Sequence, residues 1–189
     1  MDASEVLATI ERAAPREGLP IIGPKKGAIL DGVIRQHRPS TAVEVGTLVG
    51  YSAIRIARLL PQGGTLTCVE LDPDMATIAR ANLRKAGLSE RVEVMAGDAK
   101  EVLRKLQGPV DFVLVDAKKD EYMDYIRAFE PLLRAGSVVV ADNVRVFADQ
   151  VAEYLDYVRN SGKYSSSNIE APLNSDGSVT DAMEISVKL

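Results

Sequence analysis

The chain has 189 residues, 46% hydrophobic and 26% charged, the composition of one ordinary globular domain with room for a sizeable core. A net charge of -4 argues against a nucleic-acid partner, which needs a strongly basic face. One Cys and one His exclude an internal disulfide and a structural zinc site.

In chain order, Asp2 to Ala14 carries Val6, Leu7 and Ile10 at helical spacing, and Pro15 with Gly18-Leu19-Pro20 is expected to end that helix. Ile29, Leu30, Val33 and Ile34 mark a second amphipathic helix that stops at Arg38-Pro39. From there strands and helices alternate. Expected strands are Ala42–Val45, Thr65–Val69, Val92–Met95, Val110–Val115 and Ser137–Ala141. The helices between and after them are Ser52–Leu60, Pro73–Ala86, Ala99–Leu106, Glu121–Leu133 and Gln150–Arg159. Extended runs near Tyr164–Glu170 and Met183–Leu189 close the chain, with turn residues at Asn174-Ser175-Asp176-Gly177. Repeated βα units predict a doubly wound, Rossmann-like α/β sheet, mostly parallel, with a C-terminal antiparallel hairpin. No linker or repeat divides the chain, so a single domain is expected over 1–189, residues 1–38 being helices that cover the site. The start is acidic and no apolar run approaches the roughly 20 residues that span a bilayer. No membrane partner is therefore expected, and the default is a soluble cytoplasmic protein. The oligomeric state stays open, a homodimer included.

Acidic residues recur where strands should end: Glu44, Glu70, Asp116 and Asp142-Asn143. Ligands of open α/β sheets sit beyond the carboxyl ends of the strands, so this rim predicts a nucleoside cofactor and a hard metal ion. Glu44-Val45-Gly46-Thr47-Leu48-Val49-Gly50 is a strand–turn–helix with glycines where the backbone turns tightly. It lacks the middle glycine of the dinucleotide fingerprint, position 48 being Leu. Glu70 nevertheless ends the second strand, where a carboxylate can read both ribose hydroxyls. A nucleoside without a pyrophosphate, such as S-adenosylmethionine, fits that combination, with Ser52 near the next helix start for the methionine carboxylate. Asp116, Asp142 and Asn143 offer three oxygen ligands from adjacent strand ends, as Mg²⁺ prefers. Lys119, three residues past Asp116, can point back as a general base, whereas Lys118 reads as solvated. Cys68, inside a strand, reads as a small buried hydrophobe.

These residues resemble the catechol O-methyltransferase family of class I methyltransferases. The likeness runs from about residue 20 to about residue 160. It lies in Lys25-Lys26-Gly27, Gly50-Tyr51-Ser52-Ala53 with Arg55, Ala57-Arg58-Leu59-Leu60, Glu70, Ala86-Gly87-Leu88, Asp116 with Lys119-Asp120, and Ala141-Asp142-Asn143-Val144. The resemblance implies a seven-stranded sheet, S-adenosylmethionine, Mg²⁺ and methyl transfer to a catechol-like small molecule. It places Asp116, Asp142 and Asn143 on the metal, Asn143 also on the substrate, and Lys119 as the catalytic base at the substrate. Glu44, Gly46, Ser52, Glu70, Asp116 and the backbone of Ile22 fall on the cofactor. Ala99 stands where the family often has a serine near the adenine, with Asp98 to supply the polar contact. The family's His-Trp pair before the base is Ala117-Lys118 here, its aromatic entry walls are small residues around Gly18 and Pro20, and Trp is absent. Its second substrate-contacting glutamate has no match between Glu170 and Asp176. Broad acceptance of catechols with mixed meta and para methylation is therefore expected. The rival readings are a methyltransferase acting on RNA or protein, and a non-catalytic nucleoside-binding module.

Overall fold

A computed structural model describes residues 2–173 and 178–189; the turn expected at Asn174–Gly177 lies outside the described residues. The chain divides into two compact units, Met1–Asp98 and Ala99–Leu189.

The first unit opens with α1 (Ala3–Glu17) and α2 (Gly23–His37). Asp2 and Glu5 close a capping box at the start of α1, each side chain accepting from the other's backbone N–H. The helix runs through Pro15, past its expected end, and stops at Gly18, whose φ of 66° is the left-handed conformation glycine adopts without strain. A proline in the last turn forfeits one hydrogen bond, and the Gly18 N–H meets the Ala14 carbonyl to close the end. Next come β1 (Thr41–Val45), α3 (Tyr51–Ala57), β2 (Thr65–Glu70), α4 (Pro73–Lys85) and β3 (Val92–Ala96). Every residue of α3 is buried. It is shorter than expected because Leu59 N–H reaches back only to Ile56, tightening the chain into a turn before Pro61.

The second unit holds α5 (Ala99–Leu103), β4 (Val110–Val115), α6 (Tyr122–Phe129), β5 (Leu133–Ala141), α7 (Ala152–Asn160), β6 (Tyr164–Pro172) and β7 (Thr180–Lys188). The single helix expected over Glu121–Leu133 is in fact a 3-10 turn at Lys119–Glu121, then α6, then a second 3-10 turn at Glu130–Leu132. Pro131 cannot donate the bond that would extend α6, and Leu133 enters β5 instead.

The strands follow the order β3-β2-β1-β4-β5-β7-β6. Pairing is parallel in β1–β2, β2–β3 and β4–β5, and antiparallel in β5–β7 and β6–β7. This is the expected seven-stranded sheet with its terminal hairpin. Leu30, Ile34, Val45 and Ile54 anchor the core of the first unit, and Phe112, Ile126, Phe129 and Val139 that of the second. No helix among the described residues is long and apolar enough to cross a membrane.

Candidate functional site

In the first unit the chain leaves β1 through Gly46, Leu48 and Gly50, which alternate at φ values of 89°, 48° and 85°. Leu48 is the unusual member, because left-handed backbone costs a side-chain-bearing residue about 1–2 kcal/mol. Its N–H donates to Glu70 Oε2 at 2.7 Å, which offsets that strain. Gly50 is required twice over: besides its φ, a Cβ there would come within 3.3 Å of the Ala79 backbone in α4. Glu70 Oε1 accepts from Asp72 N–H at 3.0 Å, so both of its oxygens are aimed by the main chain while lone pairs remain for a ligand hydroxyl.

Glu44 is fully buried in β1, level with Cys68 of β2. Burial, followed by the charge and hydrogen bond of Glu44, pushes the Cys68 thiol well above its usual range. Cys68 is buried as expected, but it faces a carboxylate as well as apolar neighbours. Ser52, only 6% exposed, lies in the first turn of α3. Ile22 is half-buried at the start of α2, and Asp98 is exposed beyond β3. Behind the loop, Asp31 takes Arg55 at 2.9 Å and Arg58 at 2.6 Å, tying α2 to α3. Gly27 leaves the room for this, since a Cβ there would sit 2.5 Å from the Arg55 guanidinium carbon.

In the second unit, Val115 and Ala141 are register partners, so Asp116 and Asp142 leave neighbouring strands at the same level. Asp142 N–H donates to the Val115 carbonyl at 3.0 Å. Lys119 Nζ donates to Asp116 Oδ1 at 2.8 Å and to the Tyr122 hydroxyl oxygen at 2.9 Å. The Tyr122 hydroxyl in turn donates to the Asp142 carbonyl at 3.0 Å. Burial first, then the charges of Asp116 and Asp142, hold the Tyr122 phenol well above its usual pKa, so it remains a donor. Lys119 Nζ also lies 5.2 Å from the Tyr122 ring centroid and 6.0 Å from that of Phe147. Lys118 points elsewhere: it is 62% exposed and bonds Glu121 at 3.0 Å. Ala99 opens α5.

Asn143, at φ 60°, directs its Nδ2 to Asp181 Oδ2 at 2.7 Å. Among the described residues no group of three or more His, Cys, Asp and Glu side chains is placed to hold a metal ion. The set here is two carboxylates and a carboxamide. Sequence reasoning missed Tyr122 and Asp181. Tyr122 was within reach, because Lys119-x-x-Tyr122 is helical spacing. Asp181 had no local signal, because the last extended run is expected only from Met183, whereas β7 begins at Thr180.

A family model described as O-methyltransferase matches residues 2–187. Catechol O-methyltransferase B of Danio rerio is 38% identical over 173 residues, covering 87% of this chain and 65% of that protein. Catechol O-methyltransferase of Mus musculus is 37% identical, covering 86% of this chain and 64% of its own length. The chain thus spans just under two thirds of these relatives. Among solved structures, the O-methyltransferase from Bacillus cereus in complex with SAH superposes with a TM-score of 0.86 at 27% identity, covering 98% of this chain and 91% of that one.

Proposed function

The chain belongs to the O-methyltransferase family, and from that premise we propose that it moves the methyl group of S-adenosylmethionine to a hydroxyl of a catechol-like small molecule, assisted by Mg²⁺. The observation that carries the reading is the bonded run from Asp116 through Lys119 and Tyr122 to the Asp142 carbonyl, a basic side chain tied to a carboxylate and a phenol beside the ends of two paired strands. The catechol O-methyltransferase relatives support the substrate class.

The cofactor lies on the Gly46–Gly50 loop, with Glu70 accepting from the ribose hydroxyls and Ser52 donating to the methionine carboxylate. Within the first unit, Ile22 backbone, Glu44 and Asp98 are the further cofactor contacts. A hard cation suits the oxygens of Asp116, Asp142 and Asn143; the Asn143 nitrogen is already committed to Asp181, which leaves its oxygen for ligation. When bound, Mg²⁺ supplies positive charge that lowers the pKa of a neighbouring hydroxyl.

The chain's own residues do the rest. Lys119 Nζ, as the free amine, takes the hydroxyl proton. The oxygen lone pair then forms a bond to the methyl carbon as the carbon–sulfur bond breaks, and the sulfonium leaves as a neutral thioether. Asp116 and Tyr122 hold Lys119 in place before and after the transfer. Much of the rate comes from holding the reactants in attack geometry. Phe147, beside Lys119, is the aromatic face open to a substrate ring, and with Ala117 and Lys118 in place of larger aromatic neighbours the choice between two adjacent hydroxyls is weak.

The test is methyl transfer from labelled S-adenosylmethionine to a panel of catechols, with Mg²⁺ and with EDTA. Turnover that needs both a vicinal diol and the metal is expected, and a 4-substituted catechol should yield both meta and para products. Full activity in EDTA would remove the metal from the reading, and no transfer to any diol would remove the substrate class.

A further inference from the structure

We propose that Asp181 is a positioning residue that fixes which end of the Asn143 carboxamide faces a metal ion. The inference rests on the assignment of Asp116, Asp142 and Asn143 to Mg²⁺ made above. A carboxamide presents an oxygen at one end and an NH₂ at the other, and only the oxygen ligates a hard cation. The two ends are nearly the same size, so shape alone does not choose between them. The partner of the opposite end does.

That partner is Asp181, the second residue of β7, completely buried. An ionised carboxylate only accepts, so it selects the NH₂ end, and Asn143 Nδ2 donates to Asp181 Oδ2 at 2.7 Å. Oδ1 of Asp181 accepts from the backbone N–H groups of Arg145 at 3.2 Å and Val146 at 3.1 Å. Val144 N–H bonds the Ala182 carbonyl at 3.1 Å, alongside. One carboxylate therefore organises the irregular turn after β5 and turns the Asn143 oxygen away from β7. This explains how Asn143 holds φ 60° in a turn that has no glycine. It also gives a buried charge a purpose: three N–H donors converge on it from a segment 35 to 38 residues away in sequence.

The isosteric change Asp181→Asn breaks the selection. The new side chain has one oxygen for three donors, and its own NH₂ facing Asn143 favours the flipped amide, nitrogen toward the cation. Outer partners of metal ligands are typically worth 10–100-fold in metal affinity.

The experiment is a titration of Mn²⁺ into the full chain, followed by loss of the free-ion paramagnetic resonance signal, with near-ultraviolet circular dichroism to confirm the native fold. Asp181→Asn is expected to weaken Mn²⁺ binding about 10–100-fold. In an Asn143→Ala background the same change is expected to weaken it less than about threefold, because the residue it acts through is gone. Unchanged affinity, or an equal loss in both backgrounds, would overturn the inference, the latter showing a bulk charge effect. Asn143→Asp gives an independent reading should Asp181→Asn fail to fold. A carboxylate is the better donor for a hard cation, so binding tightens if Asp181 plays no part. With Asp181 in its positioning role, two facing carboxylates repel and binding weakens. Absence of Mn²⁺ binding by the wild-type chain would overturn the metal assignment itself, whereas wild-type binding that the variants leave intact would overturn only the role of Asp181.

Discussion

The candidate cofactor loop of Met1–Asp98 is shaped by backbone. Gly46, Leu48 and Gly50 take alternate left-handed conformations, and one carboxylate, Glu70, pins the strained member. The cluster of Ala99–Leu189 is shaped by side chains instead. Lys119, Tyr122, Asp116 and the Asp142 carbonyl are bonded in series, and Asn143 is held by a residue from a distant strand. The difference matches what the role proposed for each requires. A nucleoside needs a concave main chain that lets it approach closely, whereas proton transfer and cation ligation need individual atoms held in fixed directions. It follows that the two regions should fail in different ways.

The largest expected effect is Asp142→Ala, which should bring metal-dependent methyl transfer to background, read as labelled product in the presence of Mg²⁺. Lys119→Ala should lower kcat by roughly 10²-fold or more, the usual scale for a positioned base. Lys118→Ala should change kcat little, because its ammonium is solvated and bonded to Glu121. Equal losses in steady-state assays of the two lysine variants would remove Lys119 as the base.

In the loop, Glu70→Ala should weaken S-adenosylmethionine binding by about 1–3 kcal/mol in calorimetry. Part of that loss comes from releasing Leu48, so Glu70→Gln, which keeps one acceptor for the Leu48 N–H, should lose less. An identical loss in both variants would show that only the charge matters. Tyr122→Phe is milder: it deletes one acceptor of Lys119 and the donor to the Asp142 carbonyl, worth about 1 kcal/mol, or roughly fivefold in kcat.

The smallest effect is on acid stability. Hydrogen bonds from Lys100, and then from Lys118 and Tyr125, outweigh burial and lower the Glu121 pKa from 4.5 to about 2. A depressed carboxylate stabilises the fold fully above its unfolded pKa and loses that contribution as pH falls through the folded one. Urea melts between pH 4.5 and 2 should therefore show a shallower decline in Glu121→Gln than in the wild-type chain. Parallel declines would mean that Glu121 adds nothing.

Legibility in the sequence follows the same division. The loop was readable because Gly46 and Gly50 fall within one short segment after a strand and Glu70 closes the next strand. Its left-handed Leu48 was not, since nothing in the residue itself demands that conformation. Asp116 and Asp142-Asn143 stood out by their places at strand ends, and Lys119 by its spacing from Asp116. Tyr122 was hidden as an ordinary helix residue, and Asp181 became meaningful only when antiparallel pairing set β7 beside β5. Helix ends were misjudged where a proline or a tight turn decided the matter, as at Pro15, Leu59 and Pro131.

The central claim is that cofactor binding rests mainly on the Gly46–Gly50 loop and Glu70, whereas metal-assisted proton transfer rests on Lys119, Asp142 and Asn143. A calorimetric titration of S-adenosylmethionine into the Asp142→Ala variant tests it most directly. The account predicts an affinity within about threefold of the wild-type chain, under 1 kcal/mol, in a protein that no longer turns over. Loss of cofactor binding along with activity, in a variant that keeps its native circular dichroism, would contradict it.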